Sequence, residues 1–182
     1  MQRIPQLDPA NASEDVAATL GAVKAKLGVL PNIFKTMAQA PAVLNGYLAF
    51  SGALGAGKLS VALREQIALV TAGVNACDYC ASAHTALGKM AGLPSDEIKR
   101  NLAGEASDTK VRAAIAFARK LVVDRGVVSD ADIAAVKAAG YSDEEVVEIL
   151  GHVAINLFTN YFNHLADTDI DFPVVEASRA AA

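Results

Sequence analysis

The sequence predicts an all-α fold, an Ala-rich helical bundle, and three observations carry that expectation. Apolar residues recur at three- and four-residue spacing through nearly every segment. Alternating β-branched runs bounded by turn signals are missing. Serines, aspartates and glycines punctuate the chain where helices of ordinary length start and stop.

The elements follow in order. Residues 13–28 open on Ser13 as an N-cap and close on Gly28, and residues 30–57 give a short helix and a longer one divided around Pro41, ended by Gly55 and Gly57. Further helices are expected within 59–74, 77–92, 95–104, 108–126, 129–140 and 142–167. Ser95, Ser129 and Ser142 each precede an acidic first turn, which satisfies free amides and complements the helix dipole. Residues 1–12 and 168–182 read as arms of a single domain, 1–182.

Composition narrows the function. At 182 residues, with 53% hydrophobic and 20% charged residues, the chain can bury a core without disulfide support. A net charge of −4 and no basic stretch argue against a nucleic-acid partner. No apolar run reaches membrane-spanning length, and none stands behind the N-terminal arginine, so no membrane partner is expected and a cytoplasmic protein is. In such a reducing compartment a cysteine pair is more often catalytic or metal-binding than a permanent disulfide. Close-packing Ala-rich helices and the high apolar fraction point to a homo-oligomer.

One stretch concentrates the chemistry. "REQIALVTAGVNACDYCASAH" holds Glu65, the only two cysteines, Cys77 and Cys80, and His84. Gly73 weakens a helix and Asn75 suits the N-cap of a new one beginning at Ala76, so a break is expected over 73–76. It matters because twelve residues of unbroken helix would carry Glu65 about 18 Å along the axis from Cys77. A reversal there places Glu65 opposite His84 and near Cys80. Offsets of three and seven residues keep Cys77, Cys80 and His84 within about 60° on one helical face, continued by Ala81, Leu87, Gly88 and Ala91, with Asp78, Ser82 and Lys89 turned away. A carboxylate set among Val61, Ala62, Ala68, Leu69 and Ala72 suits a general base.

Each residue alone has a plainer reading: an ion-pair glutamate, a hydrogen-bonded core histidine, a small buried thiol. Zinc would draw on the same four side chains, but the second Cys-x-x-Cys or His pair that usually accompanies such a site is missing. A thioredoxin-like couple needs a strand before its cysteine helix, and the preceding run is helical. A structural disulfide over so short a loop removes little chain entropy.

The pattern Glu65, eleven residues, Cys77-x-x-Cys80, three residues, His84 resembles the AhpD-like alkylhydroperoxidases of the carboxymuconolactone decarboxylase superfamily. The flanking helices and "NLFTNYFNHLADTDIDFP" are similar to its peroxidase-related branch. The resemblance implies reduction of organic hydroperoxides by a cysteine pair that cycles through a disulfide, with no cofactor or metal, recharged by a dithiol or protein reductant, in a trimer or hexamer. It assigns Cys80 as the peroxidatic thiol, Cys77 as the resolving thiol, and Glu65 with His84 as the proton relay. The alternative is a redox-sensing or ligand-binding module of the same fold without catalysis. The chain departs from the family's pattern at Tyr79, where a histidine often stands between the cysteines; a phenol is no base near neutrality.

A second pattern lies in the last helix. Glu148, His152, Asn156 and Asn160 follow at four-residue steps, extended by Asn163 and His164. This polar ridge suits a pocket wall, a seam between subunits, or a wet surface. The offsets from Glu145 to Asn160 and from Asn160 to His164 echo those of Glu65, Cys80 and His84, which hints at an internal repeat.

Overall fold

The computed structural model describes residues 2–177. Among these stand nine α-helices: α1 Glu14–Leu27, α2 Asn32–Met37, α3 Pro41–Gly55, α4 Val61–Val74, α5 Asp78–Met90, α6 Ser95–Leu102, α7 Thr109–Val123, α8 Asp130–Ala138 and α9 Asp143–Ala166. The described residues contain no strand, and none of their helices is long and apolar enough to cross a membrane.

Local chemistry explains most boundaries. α8 and α9 begin with reciprocal capping boxes, Ser129 with Asp132 and Ser142 with Glu145. Asp108 and Ser60 accept the amides of Val111 and Leu63 at the starts of α7 and α4. Two serines differ from expectation. Ser13 occupies the N-cap of α1 without a side-chain capping bond, and Ser95 is the first residue inside α6, because Pro94 already supplies the extended N-cap backbone. Asp96 and Glu97 still complement the dipole there.

α4 is the central helix, buried without a gap from Gln66 to Gly73. One side of it, through Leu69 and Ala72, joins a core with Leu20, Met37, Leu44 and the two cysteines. The other, through Leu63, Ile67 and Val70, joins a second core with Ile115, Val136, Ile149 and Val153. A helix apolar all round needs partners on every side. α5, α6, α7 and α9 provide them.

The reversal after α4 falls slightly later than the glycine suggested. α4 runs through Gly73, where a Cβ would overlap the Leu102 carbonyl oxygen, so this glycine serves close approach to the end of α6. Asn75 is the C-cap of α4, not the N-cap of α5. Ala76 turns left-handed at φ 51°, while Cys77 N–H bonds Ala72 O at 3.0 Å and Ala76 N–H bonds Gly73 O at 3.2 Å. These two bonds form a Schellman reversal with alanine where glycine is usual.

Both arms are pinned. Arg3 N–H donates to Ala166 O at 2.7 Å and Leu7 N–H to Lys35 O at 3.0 Å. From Thr168 the chain is irregular, as expected, yet Val175 N–H reaches Ser82 Oγ and Ala177 N–H reaches Asp78 Oδ1, each at 2.8 Å. Ser82 is therefore buried beneath this arm instead of facing solvent. The arm is described as far as Ala177; residues 178–182, like Met1, lie outside the described residues.

Candidate active site

The turn at 75–77 brings α4 and α5 together as an antiparallel pair, and Glu65 Oε2 lies 2.8 Å from His84 Nδ1. Both side chains are half-buried. Cys77 is itself the N-cap of α5, its sulfur accepting the Cys80 N–H at 3.4 Å. Cys77 and Cys80 are 1% and 3% exposed and both are free thiols. Glu65, Cys77, Cys80 and His84 thus form one cluster.

α9 closes the cluster from the other side. His152, Asn156, Asn160 and Asn163 are all buried, and the three asparagines face the cysteine and histidine side chains. Asn163 Nδ2 donates to Cys80 Sγ at 3.2 Å. Asn75, in the reversal, donates to Asn160 Oδ1 at 2.9 Å, and Asn156 reaches His84. The ends of the ridge do other work. Glu148 accepts Lys58 N–H at 2.7 Å and Leu59 N–H at 3.0 Å at the approach to α4, and His164 is exposed. Glu145 belongs to the capping box of α9, so the hinted repeat builds no second site.

Electrostatics separate the two sulfurs. Burial pushes the Cys80 thiol up, but the Cys77 hydrogen bond, His84, Asn163 and Asn160 outweigh it and bring the group down to about 7. Cys77 moves the other way, raised first by its hydrogen bond to Cys80, then by burial and by the Cys80 charge. For His84, burial favours the neutral ring, yet the charge and hydrogen bond of Glu65 prevail and raise it. The cluster thus favours the thiolate at Cys80, the thiol at Cys77 and the protonated ring at His84.

Two tyrosines flank the cluster. Tyr79 turns away from the sulfurs: its hydroxyl accepts Ile33 N–H at 3.2 Å and donates to Asp171 Oδ1 at 2.9 Å, and its ring meets Phe172 edge-on. It anchors α2 and the C-terminal arm. Tyr47 of α3, which sequence reasoning passed over, is raised to about 12 by burial and by the charges of Cys80 and Glu65, against a hydrogen bond with Ser51. It also walls an apolar groove of about 310 Å³ with Gly46, Phe50, Ile155 and Phe158.

Residues 41–124, the span carrying Glu65, both cysteines and His84, match the carboxymuconolactone decarboxylase family. The fold superposes on an alkylhydroperoxidase AhpD core, an uncharacterized peroxidase-related protein from Ralstonia eutropha JMP134, with TM-score 0.83 and 25% identity over 99% of this chain and 94% of that one. The fold of the chain is AhpD-like, and the family match spans its residues 41–124. A peroxidase-related protein from Silicibacter sp. TM1040 shares the AhpD-like fold at TM-score 0.79 and 21% identity, covering 98% of this chain and 92% of that one. So does the debrominase Bmp8, whose cysteine-to-alanine variant was solved with 2,3,4-tribromopyrrole, at TM-score 0.78 and 21% identity over 98% and 94% of the two chains. No curated protein matches this AhpD-like chain significantly.

Proposed function

We propose that the chain is a thiol-dependent peroxidase that reduces organic hydroperoxides through Cys80 and Cys77. The observation that carries this reading is the unlike setting of two sulfurs one helical turn apart: Cys77 caps the helix by accepting the Cys80 N–H, while Cys80 takes the Asn163 amide at 3.2 Å beside the Glu65–His84 pair, which fits Cys80 lowered and Cys77 raised. The Cys80 thiolate attacks the terminal oxygen of the hydroperoxide. An S–O bond forms, the O–O bond breaks, sulfur loses two electrons, and the departing alkoxide takes a proton from His84. The Cys77 thiol then attacks the sulfenic acid; its proton and the departing hydroxide leave as water, and a Cys77–Cys80 disulfide remains. The largest influence holding Cys77 protonated is its bond to Cys80, so oxidation of Cys80 releases the resolving thiol at the step that needs it. An external dithiol restores both thiols by exchange.

Burial of both sulfurs favours a second reading, a redox sensor whose pair oxidises but is poorly recycled. Steady-state hydroperoxide consumption with several dithiol donors separates the two, since a catalyst turns over many times per chain and a sensor stops at one. Homo-oligomerisation also belongs to this reading, supported by Val147, Leu150, Phe158, Tyr161 and Leu165 standing exposed along α9. Light scattering tests it, and a monomer across the working concentration range contradicts it.

A further inference from the structure

Two buried amide atoms beside Cys80 stand out among the described residues: Nδ2 of Asn160, a residue with 0% exposure, has no partner but the Cys80 sulfur, and Oδ1 of Asn163, with 4%, has none. Unpaired polar atoms at such depth are costly and need a reason. The pair sits three residues apart on one face of α9. Asn75 fixes the orientation of Asn160 by donating to its Oδ1 at 2.9 Å, which turns Nδ2 toward the sulfur side. Asn163 is fixed by the sulfur itself. Nδ2 stands 3.2 Å from Cys80 Sγ, and the flipped amide would set a carbonyl oxygen against a thiolate. With Nδ2 committed, Oδ1 is left as an acceptor beside the reactive sulfur.

We infer that Asn160 and Asn163 form an amide cradle for the reacting atoms, in which both Nδ2 groups hold the Cys80 thiolate and Asn163 Oδ1 accepts the O–H of the hydroperoxide. This rests on the peroxidase reading and adds substrate-positioning residues to it. A hydroperoxide has one hydrogen, on the terminal oxygen that a thiolate must attack. An acceptor on the same side chain that grips the sulfur places that oxygen against Sγ and leaves the organic part on the far side. Ionisation and substrate binding also satisfy these atoms. The Asn160 donor holds the negative charge that Cys80 carries before the attack, and the Asn163 acceptor keeps its hydrogen when the O–H transfers to form the sulfenic acid.

The test compares two reactions of one thiolate at about pH 9, where Cys80 is ionised: single-turnover oxidation by cumene hydroperoxide and alkylation by iodoacetamide, which has no O–H to position. Asn163→Ala is expected to slow oxidation at least tenfold while alkylation changes less than twofold. Asn160→Ala is expected to move the midpoint of the thiolate absorbance titration upward while both rates recover together at high pH. Where Asn163→Ala does not fold, judged by circular dichroism, Asn163→Ser replaces it with the same expectation. Equal loss in both reactions, or none, for the Asn163 variant overturns the cradle. A wild-type Cys80 that no hydroperoxide oxidises overturns the peroxidase reading itself, a result distinct from a wild type that is oxidised and a variant that keeps pace with it.

Discussion

Glu65 and His84, nineteen residues apart in sequence, meet at 2.8 Å because the chain reverses between Asn75 and Cys77. The charge and hydrogen bond of Glu65 raise His84, and His84 in turn favours the Cys80 thiolate. Glu65→Gln removes the charge that raises His84, so the ring loses its proton sooner and the Cys80 thiol moves up. Peroxide reduction near neutrality should fall by about a hundredfold to ten-thousandfold, with partial recovery under alkaline conditions that ionise the thiol directly. His84→Ala should behave similarly. A Glu65→Gln protein with the wild-type rate and pH profile would reduce this contact to a structural ion pair.

The sulfurs are not interchangeable. Cys80→Ser should abolish peroxide consumption, whereas Cys77→Ser should form one sulfenic acid per chain, detectable with dimedone, and fail to turn over. The reverse pattern would exchange their roles.

Alkylation of the reduced wild type should rise with pH through a midpoint of about 7 and modify Cys80 first, because Cys77 is held protonated. The sign follows from the thiolate being the reactive form, scarce below the midpoint and dominant above it. Peptide mapping that finds Cys77 alkylated first, or a midpoint in the ordinary thiol range, would contradict this poise.

Tyr79, between the two cysteines, is a staple. Tyr79→Phe breaks the bonds to Ile33 and Asp171 and should cost about 1–3 kcal/mol of stability, read by denaturant unfolding, while the rate of Cys80 oxidation stays within about twofold. A large loss of rate at unchanged stability would give the phenol a part in the chemistry.

Ala76 holds a left-handed backbone, at φ 51°, that alanine adopts at a cost of about 1–2 kcal/mol. Ala76→Gly gives part of that back in unfolded-state entropy, leaving a net gain of about 1 kcal/mol, or about 2–4 °C in Tm. A lower Tm would show that the reversal depends on the alanine itself.

The sequence made the helical periodicity, most helix ends and the four-residue cluster legible, because each is written in local spacing. Gly73 and Asn75 were ambiguous for physical reasons. A glycine inside a helix either weakens it or admits a neighbour, and asparagine suits both the start and the finish of a helix, so only the packed position of Leu102 decides. The amide row of α9 was visible as a face, but not what it faces. The contact between Asn163 and Cys80 spans 83 residues, and no local pattern encodes it. Tyr47 carried no signal at all, being one of two aromatic residues in an apolar helix.

The most direct test of the account is to treat the reduced protein with one equivalent of cumene hydroperoxide and measure intact mass, free thiols and released alcohol together. The account predicts one 2-phenyl-2-propanol per chain, no titratable thiol, and a mass lower by two hydrogens, the signature of a Cys77–Cys80 disulfide. Unreacted peroxide with both thiols intact, or stable addition of oxygen to both sulfurs, would contradict it.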